Sequence, residues 1–90
     1  MLKVRYSARF KKDFNLVQKR GYGIGLFEEI VLILCNEKPL PPKNKNHALN
    51  GNYPRFRECH ITPDWLLIYK VEKDILTLSL TRTGTHSELF

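Results

Sequence analysis

Residues 65–82, with the sequence WLLIYKVEKDILTLSLTR, contain the pattern that decides the fold. Residues 65–72 form a mostly apolar run, which is typical of a strand. Within residues 75–82, leucines alternate with threonine and serine, which predicts another strand with one buried side. Lys73 and Asp74 lie between the two segments and predict the turn that joins them.

Two further strands are predicted outside this segment. Residues 55–62 precede it directly and have the composition of a strand. Residues 2–6 alternate, with apolar side chains on one side and Lys3 and Arg5 on the other, which indicates a half-buried strand. We expect this first strand to join the sheet that the last three strands form.

Two helices are predicted between the first strand and the rest. One covers residues 8–20, because apolar residues recur at three- and four-residue spacing, Ser7 is a suitable N-cap and Gly21 a suitable stop. The other covers residues 26–37 and has a broad apolar stripe. Prolines within residues 39–42 end it and force an extended, basic loop.

The order of elements predicts an α+β fold in a single domain over residues 1–90. A run of helices followed by a run of strands favours helices packed on one face of a sheet. We therefore expect two N-terminal helices on a four-stranded antiparallel sheet, in the order β-α-α-β-β-β.

The charge of the chain favours anionic partners. Its formal net charge is +6, and residues 1–20 contain seven basic side chains and one acid, Asp13. Such a surface attracts phosphate backbones, anionic membranes or acidic proteins, although it also serves simply to keep a small domain in solution. No segment approaches the roughly 20 apolar residues of a membrane span, and no signal peptide is evident. We expect a cytoplasmic protein without membrane contact.

Three histidines are the candidates for acid–base chemistry, namely His47, His60 and His86. Glu58 and His60 are two residues apart, so on a strand they project from the same face, where the carboxylate favours the charged imidazolium. Histidine exchanges protons near neutral pH, and Arg82 offers a fixed positive charge for a phosphate. A base, an acid and an arginine suffice to cut RNA without a metal, because RNA supplies its own 2′-hydroxyl nucleophile.

Each of these residues also has a purely structural interpretation. Glu58 would pair with Arg57 or Lys70 across the sheet. Asp64, after a proline, would only form a turn, and Trp65 would belong to the core or its rim rather than stack on a base. Arg82 would be a solvated strand end. Zinc binding by the histidines is a further alternative, but their spacing matches no compact ligand motif.

The same residues carry a resemblance to a known family. The segments HALNGNY (47–53), FRECHITPDWLLIYKVE (56–72) and TRTGTHSELF (81–90) resemble the YafQ-like toxins of the RelE superfamily. The resemblance extends over the whole chain and is specific in its C-terminal half. It implies a RelE-like fold and an endoribonuclease that cuts messenger RNA on the ribosome without metal or cofactor.

The resemblance also implies roles for individual residues. His86 is implied to be the general acid for the leaving 5′-oxygen, and His47 and His60 are candidates for the base or for proton shuttling. Asp64 would act as a base or orient a histidine, and Arg82 would hold the scissile phosphate.

Other positions are implied to bind the RNA. Trp65 and Phe90 would shape the pocket for a splayed base. Position 58 is Glu where well-known relatives have Asp, which leaves its role open within the catalytic set. Lys45 and Arg55 are further candidates for phosphate contacts because of their positive charge, although they match no motif of the family.

The family further implies a protein partner. A separate, acidic, partly disordered antitoxin would wrap the toxin, with the basic first strand and helix as the landing surface. Two toxins and two antitoxins often assemble together, and the antitoxin then supplies most of the DNA contacts. The competing hypothesis is a non-catalytic RNA- or protein-binding module. A DNA-binding regulator is disfavoured because no recognition-helix motif is evident.

Overall fold

A mixed sheet forms the centre of the computed structural model, which describes residues 1–51 and 55–90. Its strands occur in the spatial order β1-β5-β4-β3-β2. The strands are β1 (Lys3–Tyr6), β2 (His47–Ala48), β3 (Arg57–Thr62), β4 (Trp65–Glu72) and β5 (Thr77–Gly84). The α-helices are α1 (Ala8–Lys19), α2 (Ile24–Cys35) and α3 (His86–Leu89), and short 3₁₀ helices cover Pro42–Asn44 and Lys73–Ile75.

The predicted α+β class is confirmed, but the prediction of a four-stranded antiparallel sheet is wrong in two respects. β1 pairs with β5 in the parallel direction, and β2 adds a fifth strand. An alternating pattern shows which side of a strand is buried but not the direction in which it pairs. β2 contains only two residues, which is too short for any periodicity to appear in the sequence.

The end of the chain also differs from the prediction. The predicted strand over residues 75–82 starts two residues later and extends to Gly84, and a short helix, α3, follows it. Leu76 adopts a left-handed conformation with φ 49° after the 3₁₀ turn, which delays the start of β5. α3 begins with a capping box in which the Thr85 and Glu88 side chains bond each other's backbone amides.

The two long helices form where apolar spacing predicts them. Ser7 caps α1 as expected, because its Oγ accepts a hydrogen bond from the Phe10 amide at 2.9 Å. α2 begins two residues earlier than predicted, since extended Gly23 is its N-cap and Gly25 continues the helix. It also ends two residues earlier, at Cys35.

The core lies between the long helices and one face of the sheet. Alternate residues of β4, such as Leu67 and Tyr69, pack there with Phe10 of α1 and Phe27 of α2. The intervening β4 residues Leu66 and Ile68 face the other side, where Leu89 of α3 covers them. β4 is therefore apolar on both faces, which explains why it reads as a continuous hydrophobic run.

The two cysteines behave as small buried hydrophobes. Cys35 and Cys59 are both buried and free. Burial raises the pKa of the Cys59 thiol to about 12, so it stays neutral and unreactive at physiological pH. Within the described residues, none of the helices has the length and apolar character needed to traverse a bilayer.

The Ser7 hydroxyl gives a direct test of this fold. Besides capping α1, it donates a hydrogen bond to the Thr81 carbonyl of β5 at 2.8 Å. Ser7→Ala removes both bonds and is expected to lower the free energy of unfolding by about 1–2 kcal/mol. Urea denaturation measures the change, and Gln18→Ala on the exposed side of α1 is the control. Equal stability of the two variants would contradict the role of the cap.

Candidate active site

A buried carboxylate between two imidazoles is the most unusual feature of the sheet. The Oε1 atom of Glu58 lies 3.5 Å from His47 Nε2 and 3.8 Å from His60 Nε2. Glu58 is only 5 % exposed, and its Oε2 atom has no hydrogen-bond partner among the described residues. A buried ionised carboxylate is costly unless it is paired. The two imidazoles are the polar side chains placed to pair with this carboxylate.

Strand register explains this cluster. His47 of β2 pairs directly with Glu58 of β3, and His60 follows two residues later on the same face. The intervening Cys59 points into the core under the helices. The prediction that Glu58 and His60 share a face is confirmed.

The structural alternative for Glu58 is wrong, because its supposed partners are engaged elsewhere. Arg57 Nε donates to the Asn46 side-chain oxygen at 3.1 Å, and the Lys70 ammonium lies over the Phe56 ring, 5.4 Å from its centroid. Of the four side chains considered as partners of Glu58, the two histidines are the ones that its carboxylate faces.

The loop before β2 holds His47 in place. His47 Nδ1 lies 2.8 Å from the Lys45 carbonyl, which only accepts hydrogen bonds, so Nδ1 carries a proton and Nε2 faces Glu58. The Asn46 side-chain oxygen accepts from the buried Tyr69 hydroxyl at 2.8 Å. Asn44 donates to the His60 carbonyl at 2.7 Å, which ties the same loop to β3.

Asp64 and His86 line a second, neighbouring pocket. Pro63 and Asp64 form the turn between β3 and β4, as the structural interpretation predicted, and this turn also forms one wall of the pocket. His86, the first residue of α3, and Tyr22 also line this pocket. The His86 ring packs against Phe90 with 5.0 Å between ring centroids.

An ion pair fixes the helix that presents His86. Arg20, at the end of α1, donates to both carboxylate oxygens of Glu88. The Thr85 amide also donates to Glu88 at 2.9 Å. These contacts, the Arg20 hydrogen bond above all, lower the pKa of Glu88 to about 2.

Arg82 is bound by an acid rather than solvated at a strand end. Its Nε donates to Asp13 Oδ2 at 2.7 Å and its Nη2 to Asp13 Oδ1 at 3.3 Å. In register, Arg82 lies opposite Ile68 of β4. The interpretation of Arg82 as a solvated strand end is therefore wrong.

Register relates the two halves of the site. Across β3, β4 and β5, His60 pairs with Leu66, and Leu66 pairs with Gly84, the residue two before His86. Adjacent strands are about 4.8 Å apart, so the backbones of His60 and Gly84 are separated by about 10 Å. The histidine pair and the start of α3 thus flank the same short apolar stretch of β4.

The residues predicted to bind RNA occupy different environments. Trp65 is 1 % exposed, and its indole N–H donates to Thr83 Oγ1 at 2.7 Å, which confirms the core interpretation. Phe90 is 54 % exposed beside His86. Lys45 and Arg55 are both exposed, with positive φ angles of 44° and 71°.

Sequence reasoning missed Asp13, Asn46 and Glu88. Asp13 and Arg82 are 69 residues apart, so no local motif reveals their contact. Glu88 had a detectable signal, because Thr85 followed three residues later by Glu is the pattern of a capping box. Among residues 1–51 and 55–90, no group of three His, Cys, Asp or Glu side chains has an arrangement that could hold a metal ion.

Comparison with known proteins decides the family. Residues 2–90 match the family model described as the bacterial toxin of type II toxin–antitoxin systems, YafQ. The chain belongs to the YafQ toxin family. It is 39 % identical over 88 residues to the mRNA interferase toxin YafQ of Escherichia coli K12, covering 97 % of this chain and 94 % of that protein.

Solved structures of YafQ-like toxins agree. A metal-bound toxin from Helicobacter pylori is 46 % identical with a TM-score of 0.95, and the match covers all of both chains. YafQ in its E. coli complex with DinJ is 37 % identical with a TM-score of 0.90, covering 100 % of this chain and 99 % of that one. The resemblance inferred from the sequence is confirmed.

The pairing of Glu88 with Arg20 predicts a pH dependence of stability. The pKa of Glu88 is about 2 in the folded protein instead of the ordinary 4.5. Its contribution to stability is therefore complete above pH 4.5 and is lost as the pH falls towards 2. The stability difference between the wild type and Glu88→Gln should shrink over this range, as measured by urea denaturation at several pH values. Glu29→Gln on exposed α2 controls for loss of a surface charge, and a pH-independent difference for Glu88→Gln would contradict the pairing.

Proposed function

We propose that this chain, as a type II toxin of the YafQ family, is an endoribonuclease that cleaves messenger RNA on the ribosome. The observation that carries the proposal is the pair of histidines on one buried carboxylate, opposite the strand end that leads to His86. The E. coli relative is named an mRNA interferase, and its identity to this chain extends over nearly the whole length. An enzyme with this target works in the cytoplasm.

The reaction needs one base, one acid and a stabiliser of negative charge. His47 or His60 takes the proton of the 2′-hydroxyl, and the 2′-oxygen then forms a bond to the adjacent phosphorus. The bond from phosphorus to the 5′-oxygen of the next nucleotide breaks, and His86 donates a proton to that oxygen. Arg82 stabilises the charge that develops on the phosphate. The products are a cyclic phosphate and a 5′-hydroxyl.

Glu58 supports the base in this scheme. Its Oε1 atom faces Nε2 of both His47 and His60, so it stabilises the imidazolium that forms when either ring accepts a proton. The backbone carbonyl of Lys45 orients the His47 ring. The Lys45 ammonium is proposed separately as a phosphate contact. Asp64 lines the same pocket as His86, and we assign it the role of a base or of a residue that orients the histidine.

The base of the bound nucleotide has a separate site in this proposal. Phe90 is largely exposed beside His86 and offers a ring face for stacking. Trp65 is buried and lines a small pocket with Tyr22 and Asp64, so it shapes the wall of the site from within the core. Arg55 adds positive charge at the surface.

An acidic antitoxin is the proposed protein partner. The similar E. coli toxin has been solved in complex with DinJ. In this chain, β1 and α1 present exposed basic side chains beside an apolar groove lined by Tyr6, Phe10 and Phe14. Such a surface fits a partner segment in which acidic and apolar side chains alternate. We propose assembly of two toxins with two antitoxins, with DNA contacted mainly through the antitoxin.

Loss of the proposed acid gives the first test of function. Since a general acid contributes about 10²- to 10⁴-fold, His86→Gln should reduce cleavage of ribosome-bound messenger RNA by that factor and abolish growth arrest. Circular dichroism and binding to the antitoxin establish that the variant is folded. Full toxicity of a folded His86→Gln protein would remove His86 as the acid. Salt-sensitive RNA binding by the wild type without any cleaved product would instead favour a non-catalytic binding module.

Metal chelation gives the second test. The H. pylori relative is described as metal-bound, yet the described part of this chain has no group of three ligands arranged for a metal ion. The proposed reaction uses no metal bound by the toxin, so toxin that has been treated with EDTA should cleave at the same rate as untreated toxin. The assay compares initial cleavage rates on ribosomes whose magnesium is replenished after the toxin alone has been treated with EDTA. Loss of cleavage that added zinc restores would overturn metal independence.

A further inference from the structure

Asp13 is the acid of α1 that bonds the arginine of the proposed site. Its carboxylate accepts hydrogen bonds from Arg82 Nε at 2.7 Å, from Arg82 Nη2 at 3.3 Å and from the Thr83 amide at 3.2 Å. The side chains of Asp13 and Arg82 are each 14 % exposed. Charged hydrogen bonds are strong when solvent is largely excluded. This pair is therefore a defined, partly buried contact and not a mobile surface ion pair.

The contact fixes the orientation of the guanidinium. Asp13 binds the edge that carries Nε and Nη2, while Nη1 and its two N–H donors lie away from that edge. A phosphate is bound by the planar fork of an arginine only when the fork presents its donors in the correct direction. Holding one edge of the guanidinium thus determines the direction in which its Nη1 side faces.

The same carboxylate ties Arg82 to the sheet. β1 pairs with β5 only as far as Leu80; beyond that residue, Ser7 donates to the Thr81 carbonyl and the Thr83 amide donates to Asp13. Thr83 in turn donates to the Leu66 carbonyl of β4 at 2.7 Å and accepts from the Trp65 indole. The position of Arg82 is therefore set relative to β4, which forms the floor between the two halves of the site.

The charge of α1 argues against an incidental role for Asp13. It is the one acid among residues 1–20, which contain seven basic groups. A carboxylate in this region weakens the attraction of the surface for RNA, and aspartate is also a poor helix former in a helix interior. Solubility and RNA binding would both be served better by another residue here.

We propose that Asp13 is a positioning residue for RNA cleavage: its carboxylate holds the Arg82 guanidinium in the orientation that meets the scissile phosphate. The inference rests on the proposed function and adds a residue outside the segments that resemble the family. If the ion pair between Asp13 and Arg82 were purely structural, it would hold α1 against β5 and affect only the stability of the fold. A positioning residue influences the reaction, and only through Arg82.

A double-mutant cycle separates these roles. Cleavage of ribosome-bound messenger RNA is measured for the wild type, Asp13→Asn, Arg82→Ala and the double variant, with Asp74→Asn in the exposed turn as the matched control. Asp13→Asn should lower kcat by about 10- to 100-fold, because a misplacement of about 1 Å in a catalytic group has an effect of this size. KM should stay close to that of the wild type. The same change should have no added effect in the Arg82→Ala background, and Asp74→Asn should match the wild type.

Two outcomes of the cycle would overturn the proposal. One is a folded Asp13→Asn protein with the wild-type kcat. The other is an equal loss of activity in both backgrounds, which would show that Asp13 acts independently of Arg82. Should Asp13→Asn fail to fold, Asp13→Glu, which keeps the charge but moves it by one methylene, takes its place under the same criteria.

A second measurement does not depend on cleavage. In ¹⁵N-labelled protein, the Arg82 Nε–H resonance should exchange slowly with water and should shift when an RNA with a 2′-deoxy scissile nucleotide is added. Asp13→Asn should abolish the slow exchange and reduce the shift. An Arg82 resonance that ignores the RNA would overturn the positioning role even if the wild type cleaves. A wild type that binds through Arg82 but never cleaves would refute the proposed endoribonuclease and leave Asp13 as a positioning residue for binding.

Discussion

The structure depends on the register in which β4 pairs with its two antiparallel neighbours. β4 lies at the centre of the sheet and is apolar on both faces, so one set of its side chains fills the core under the helices and the other set faces α3. A shift of β3 by one residue against β4 would place Glu58 and His60 under the helices. Burial of Trp65 and Tyr69 on the helix side excludes that shift. The hydrophobic effect therefore selects the face on which the chemistry occurs.

Contacts between residues that are distant in the sequence complete the site that the strand register begins to assemble. The β2 pairing adds His47 to the carboxylate that His60 already faces. α1 contributes two ion pairs, one to Arg82 of β5 and one to Glu88 of α3. One helix thus braces both Arg82 and the short helix that carries His86. In this arrangement the proposed reaction uses the sheet face for the base and the end of β5 for the acid.

The sequence predicted the elements better than their connections. The N-cap at Ser7, the strand over residues 65–72 and the shared face of Glu58 and His60 followed from local rules, because each depends on spacing within a few residues. The parallel direction of β1 and the two-residue strand β2 did not follow, because neither leaves a periodic signal.

The residues of the candidate site also fall into those that the sequence predicted and those that only the fold reveals. The histidines and Arg82 were candidates from their chemistry, and the resemblance to the family implied their individual roles. The acid that holds Arg82 lies 69 residues away in the chain, in a helix whose sequence is generic. The buried position of Trp65 was one of the two interpretations that the sequence allowed, but its hydrogen bond to Thr83 requires the β4–β5 register. Side chains that act through a neighbour are visible only once the chain is folded.

The parallel pairing of β1 with β5 has a consequence for the order of folding. β1 is made first but finds its neighbour only after residues 77–84 exist, so the contact between them spans most of the chain and closes late. A nascent chain that still lacks β5 has no partner for Asp13 and no α3. Such a chain also lacks His86, so it does not carry the proposed acid until α3 has been translated.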